Sequence, residues 1–243
     1  MLIFIIFWLL FILHLTKRKN RQQLKQKSQE DWGLDGIGLL MQGGIIPLLQ
    51  VTVIYMLYSL LFPQWQNSLT LSPLVQFLLS FIAVDYLYYW NHRLLHQSPF
   101  WSLHQVHHTL TDRDILGTSR NTLWTSFFIL YLWIHGLFIY VLDTPKFYLL
   151  GVSLTAILDL WRHSDLDIPS QSKLYHFLAP WLILPCDHAW HHSPDIQGNY
   201  AANFKIWDRL HGTDYNNANL PQNLGIKSPL SFWQKLLLPL SSK

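Results

Sequence analysis

One cysteine, Cys186, stands in 243 residues, so the chain cannot close an internal disulfide and nothing implies an oxidising compartment. Glutamate is nearly missing as well, with Glu30 as its single representative. Charged residues make up 13% of the sequence, roughly half the usual share for a soluble domain. A soluble reading would need a very large core beneath an unusually bare surface. Neither a glycine-rich nucleotide fingerprint nor a haem-attachment motif occurs, so electrons for any redox chemistry have to come from outside. Internal repeats and low-complexity domains are absent too.

What is abundant is apolar. Hydrophobic residues reach 50% and aromatic residues 15%, as expected where amphipathic rings sit at a lipid boundary. Apolar runs fall at about 1–15, 44–62, 73–91, 122–142 and 147–161. A full crossing takes about 20 helical residues, so the second, third and fourth are expected as spans. The first and fifth are short enough to be tilted or interfacial. No period-2 alternation is present, which favours helices over a barrel. The expected fold class is therefore all-α, an integral membrane helical bundle.

Six basic residues, Lys17, Arg18, Lys19, Arg21, Lys25 and Lys27, crowd into "KRKNRQQLKQK" directly after the first apolar run. That position reads as a juxtamembrane flank on the cytoplasmic side rather than a nucleic-acid arm. A cleaved signal peptide would carry its charge before the run and small residues after it, so the segment is expected to be retained. Residues 1–43 are expected as an apolar segment plus a polar cytoplasmic linker, and 44–243 as the functional domain. With 17–27 in the cytoplasm, the runs alternate outward and inward. That alternation brings every clustered histidine to the same face.

The histidines fall in a pattern. "NHRLLHQSPFWSLHQVHH" holds His92, His96, His104, His107 and His108, and "DHAWHH" holds His188, His191 and His192. Residues three and four apart share a helix face, so one HxxxH pair and two HxxHH triplets can aim imidazoles inward. His163 ends the fifth apolar run. A lone histidine on a helix is more often structural than a ligand; this set is too large and too regular for packing alone. Neutral imidazole is the commonest nitrogen ligand for transition metals. Nine histidines exceed one zinc site and fit two metals. A carboxylate di-iron centre would need several glutamates in Glu-x-x-His motifs, which this chain lacks.

"YYWNHRLLHQSPFWSLHQVHHT" resembles the HRxxH-x7-HxxHH signature of the fatty acid hydroxylase and sterol desaturase superfamily of membrane di-iron oxygenases. "HAWHHSPDIQGNYAANFKIWDRLHGT" is similar to its second HxxHH box and tail, so the likeness runs from about Asp85 to Thr213. The resemblance implies that His92, His96, His104, His107, His108, His163, His188, His191 and His192 ligate two iron ions. It also implies oxidation of an unactivated C–H bond of a lipid by dioxygen, giving an alcohol or an alkene. The partners implied are a lipid substrate, the bilayer and an external reductase. The host membrane would be the plasma membrane or the endoplasmic reticulum. Around the ligands, Asp159, four residues before His163, is expected to accept that ring's other N–H. Asp85, two turns before His92, is expected to support the same centre. Two alternatives remain: an acyl-lipid desaturase of the other histidine-box type, and a membrane metal transporter. Seven residues between His96 and His104 speak against the first, and ligands at helix ends rather than mid-membrane speak against the second.

Overall fold

The computed structural model describes residues 2–239, which form helices and, among the described residues, no β-strand. Helix α1 is Leu2–Thr16 and α2 is Arg18–Gln26. Helix α3, Gln29–Leu61, is 33 residues long and is the one described helix both long and apolar enough to cross a membrane. Its N-terminus is capped by Ser28, whose hydroxyl accepts the Asp31 N–H at 3.0 Å, with Glu30 and Asp31 in the first turn against the helix dipole. The polar stretch expected as a linker is therefore helical, and residues 43 and 44 lie inside α3. Glycine-interrupted polarity looked like coil in sequence, but a cap and a following apolar run are enough to start the helix early.

Helix α4 covers 73–95, opened by the Ser72 cap with Pro73 in its first turn, and ends beside His96. The run 122–142 is not one span. Residues 122–130 fold into a short turn, Thr125–Phe128, with Thr122, Thr125 and Ser126 buried, and only α5, Tyr131–Val141, continues as a helix. The hydroxyls explain the break: Thr122 accepts the N–H groups of Trp124 and Thr125 at 3.2 Å, and Thr125 donates to the Leu103 carbonyl. Helix α6 is Lys146–Arg162 and α7 is Pro185–His192.

The chain reverses between α3 and α4 and again between α5 and α6, two open hairpins that turn at the same end, while side-by-side packing pairs α3 with α5 and α4 with α6. Their loops are tied by Asn67 N–H to Tyr140 O at 3.1 Å and Leu69 N–H to Val141 O at 2.9 Å. Helix α6 packs on α4 where Gly151 allows it; a Cβ there would sit 2.1 Å from Ser80 Oγ. The opposite end of the hairpins carries the histidines.

Polarity runs inside out. Leu48, Val51, Met56 and Leu60 of α3, Phe4, Ile5, Trp8 and Ile12 of α1, and Leu74, Val75 and Leu87 of α4 are all exposed. The buried set, by contrast, contains more polar and charged side chains than apolar ones.

Candidate metal centre

All nine expected histidines converge, and they sort into two groups. His92, His96, His104, His108 and His191 form one; His107, His163, His188 and His192 form the other. Within each group the candidate ligand nitrogens lie within 4.8 Å of one another. Eight of the nine are buried, and His96 is nearly so.

The sorting follows from helix geometry. Adjacent helical residues point about 100° apart, so the paired histidines of an HxxHH box cannot face one ion. His108 joins the first group and His107 the second; His191 joins the first and His192 the second. Each box thereby serves both groups. His188 and His192, one turn apart on α7, stay together, with their Nε2 atoms 3.2 Å apart. His92, in the last turn of α4, and His96, its C-cap one turn on, do the same.

Distances and orphaned atoms fit a metal. Nε2 of His163 lies 3.2 Å from that of His107 and 3.0 Å from that of His188, and Nε2 of His92 lies 2.9 Å from that of His104. Nitrogens bound at about 2.1 Å from a common ion and at right angles to each other are about 3.0 Å apart. Nε2 of His96, His108 and His191 is buried with no hydrogen-bond partner among the protein atoms. Burial is the leading force that holds the imidazoles neutral: it pushes His107, His108, His188 and His192 well below the ordinary 6.5, with neighbouring histidines adding to the effect. His191 is lowered to about 4, burial outweighing the carbonyl it bonds. Neutral imidazole is the form that ligates a metal.

The rings are oriented by backbone carbonyls. Nδ1 of His92 donates to Tyr200 O at 2.7 Å, His191 to Gly198 O at 2.9 Å, His107 to Arg120 O at 3.1 Å and His163 to Asp159 O at 2.9 Å. Each bond leaves the Nε2 lone pair free to face its group. Main-chain oxygens carry no residue signature, so these partners were invisible in sequence.

Of the two expected carboxylates, Asp159 flanks His163 but is not its closest partner, and Asp85 acts on the centre only at one remove. The Asp159 carboxylate lies 3.5 Å from His163 Nδ1, is 40% exposed, and pairs with Arg162 at 2.9 Å; the carbonyl of Asp159 makes the closer bond. Asp85 hydrogen-bonds no imidazole of the cluster. It accepts the N–H groups of Asn203 at 2.8 Å and Phe204 at 3.2 Å and the Trp207 indole at 2.7 Å, stapling α4 to the segment that supplies Tyr200. Asp208 completes that segment by accepting the N–H groups of Tyr200 and Ala201 at 2.8 and 2.9 Å.

The basic stretch lies at the same end as the histidines. Lys17 bonds Asp165, Gln23 bonds Asp112 and Lys27 bonds Asp114, at 2.8, 2.6 and 2.6 Å. His14 is buried and reaches Asp165 at 3.2 Å, and His135 bonds the Tyr148 hydroxyl at 2.9 Å; neither joins the centre. His211 stacks on Tyr89 instead, ring centroids 5.0 Å apart. A cavity of about 20 Å³, room for one small molecule, opens beside the second group between Leu110, Arg113, Arg162, His163, His188 and His192.

An all-helical chain with this double histidine cluster belongs to the fatty acid hydroxylase family, whose model matches residues 77–213, more than half of the chain. Its place is thus in the fatty acid hydroxylase and sterol desaturase superfamily. Among its relatives are an alkylglycerol monooxygenase of Xenopus tropicalis, 29% identical over 56% of this chain and 29% of that protein. An ornithine lipid hydroxylase of Rhizobium tropici is 28% identical over 69% of this chain and 51% of its own length. A methylsterol monooxygenase of Aspergillus fumigatus is 26% identical over 58% of this chain and 48% of that protein. The chain thus spans at most about half the length of these relatives. No solved structure matches it.

Proposed function

We propose that this chain is a membrane-bound di-iron oxygenase that hydroxylates, or desaturates, an unactivated C–H bond of a lipid. The observation that carries the reading is the sorting of nine imidazoles into two adjoining, buried, thiolate-free groups. An all-nitrogen neutral donor set suits divalent first-row transition metals, and two groups side by side suit a pair of them. His92, His96, His104, His108 and His191 would hold one iron, and His107, His163, His188 and His192 the other.

When bound, two irons supply the redox chemistry that lets dioxygen attack an unactivated C–H bond. The chain's own residues bind, orient and shield. Tyr200, Gly198, Arg120 and Asp159 fix the ring tautomers through their carbonyls. Burial keeps bulk water away from the imidazoles. The four-histidine group would have fewer protein ligands and borders the small, water-sized cavity. No side chain is required as acid or base. For hydroxylation the balance is substrate C–H, dioxygen, two electrons and two protons giving the alcohol and one water. For desaturation the same inputs give an alkene and two waters. An external reductase supplies the electrons.

Three relatives are named for lipids of different shape, an alkylglycerol, an ornithine lipid and a methylsterol, which supports a lipid substrate and leaves its identity to experiment. Exposed apolar side chains on α1, α3 and α4 support a bilayer setting. Lysines and arginines at the histidine end support a centre facing the cytoplasm, in a plasma or endoplasmic reticulum membrane.

The test is purified protein in lipid vesicles, loaded with ferrous iron and given a chemical reductant and a lipid extract. Two irons per chain, oxygen uptake and a new alcohol or alkene are expected. Ion flux without oxygen uptake would instead identify a metal transporter.

A further inference from the structure

The segment 223–226 lies outside the matched residues 77–213, yet it crosses the centre at the seam between the two histidine groups. Gly225 N–H donates to the carbonyl of His192 at 3.1 Å, and Ile226 N–H donates to the carbonyl of His108 at 2.7 Å. These two carbonyls belong to the last histidine of each HxxHH box. His192 sits in the four-histidine group and His108 in the five-histidine group, with ring centroids 4.6 Å apart and nearly stacked. Two consecutive amides therefore fasten one box to the other where the two groups touch.

Gly225 is the residue that lets the segment come this close. Its φ is +74°, in the region that favours glycine, and a Cβ would lie 2.1 Å from Leu110 O and 3.2 Å from His108 O. Leu224, one residue earlier, lines the cavity beside His163, His188 and His192. The segment is anchored on both sides. Trp190 donates to Asn219 O at 2.7 Å before it, and after it the helix Phe232–Leu237 docks through Leu123 N–H to Leu236 O at 3.0 Å and an ion pair between Lys235 and Glu30.

We infer that residues 223–226 form a strap that sets the spacing between the two metal-binding groups, with Gly225 as its positioning residue. This rests on the di-iron reading above. The strap bonds main-chain carbonyls through its amides and not the ring nitrogens. It acts on the backbone that carries His108 and His192, so loosening it lets one box drift from the other while each box keeps its own histidines. Both ions should then be held less tightly and couple less strongly.

The experiment compares iron-loaded wild type with Gly225→Ala, Ile226→Pro and Gly212→Ala in detergent. Gly212 shares the positive φ, +67°, but a Cβ there meets nothing within 4 Å, so it controls for backbone strain alone. Three readings are taken: helix content by circular dichroism, the rate of iron release to a chelator, and the magnetic coupling of the two irons by low-temperature Mössbauer spectroscopy. Gly225→Ala and Ile226→Pro are expected to keep their helix content, release iron about tenfold faster or more, and show a weakened coupling, whereas Gly212→Ala stays within about twofold. Release and coupling unchanged in both strap variants would overturn the inference. So would loss of helix content together with iron in both, because the segment would then serve the fold at large. Wild type binding fewer than two irons is a different outcome, visible before any variant is made, and it strikes the di-iron reading itself.

Discussion

Arg120 and Asp35 form a buried ion pair, Nε to Oδ1 at 2.6 Å, and the carbonyl of the same arginine accepts the Nδ1–H of His107 at 3.1 Å. One residue thus joins the start of α3, which lies before the matched family region, to an imidazole of the histidine cluster. Asp31 takes a second nitrogen of the guanidinium at 2.6 Å, and Lys27 bridges Asp35 and Asp114. Burial pulls the Arg120 guanidinium down, but Asp35 and Asp31 outweigh it and leave it raised. Burial likewise opposes the Lys27 charge, and Asp114 with Asp35 more than offsets the cost.

Removing one partner of such a buried pair strands the other. Asp35→Ala is expected to destabilise the fold by about 3–5 kcal/mol. Denaturant titration of the detergent-solubilised protein checks this. A shift below about 0.5 kcal/mol would show that Asp31 alone satisfies Arg120.

His107→Ala and His191→Ala take one imidazole from each group. Both are expected to lose iron and turnover together, by at least about tenfold, with insertion and helix content kept. Iron quantification beside product analysis measures it. Full iron with full turnover in both would remove these residues from the ligand set.

Asp159→Asn separates carbonyl from carboxylate. The bond to His163 Nδ1 comes from the main chain, so iron retention is expected to change by no more than about twofold, while His163→Ala loses iron. A large loss in Asp159→Asn would restore the carboxylate as the partner of that ring.

Acid should release the metal and loosen the fold together. The buried imidazoles have folded pKa values below 6.5, so the unfolded chain takes up protons first as pH falls. Stability is complete above about pH 7 and is lost from about 6.5 downward, at about 1.4 kcal/mol per pH unit for each imidazole neutral only when folded. Protons also compete with metal for the same nitrogens, which gives the same sign. Thermal unfolding and iron retention measured from pH 8 to 5 would show it; a flat profile would contradict the buried neutral cluster.

Eight of the nine histidines were legible because their i, i+3 and i+4 spacing leaves a chemical signature along the chain; His163 has no such neighbour and was indicated by the family resemblance, and all nine lie in the cluster. The long helix was legible from its apolar run, though its start at Gln29 was not, because capping by Ser28 looks like ordinary loop polarity. The broken run 122–142 was misread for a related reason. Threonine hydroxyls that bond nearby backbone count as only mildly polar in sequence, yet they end the helix once buried.

By itself, then, the sequence determined a helical chain rich in apolar runs with a repeated, inward-facing histidine pattern, since hydropathy and helical period are local properties. Which histidine joins which group, which carbonyl aims each ring, and the passage of residues 223–226 across the seam were decided only by tertiary structure. Those are relations between backbone atoms far apart in the chain, and every residue carries the same carbonyl and almost every residue the same N–H, so no side-chain pattern can announce them.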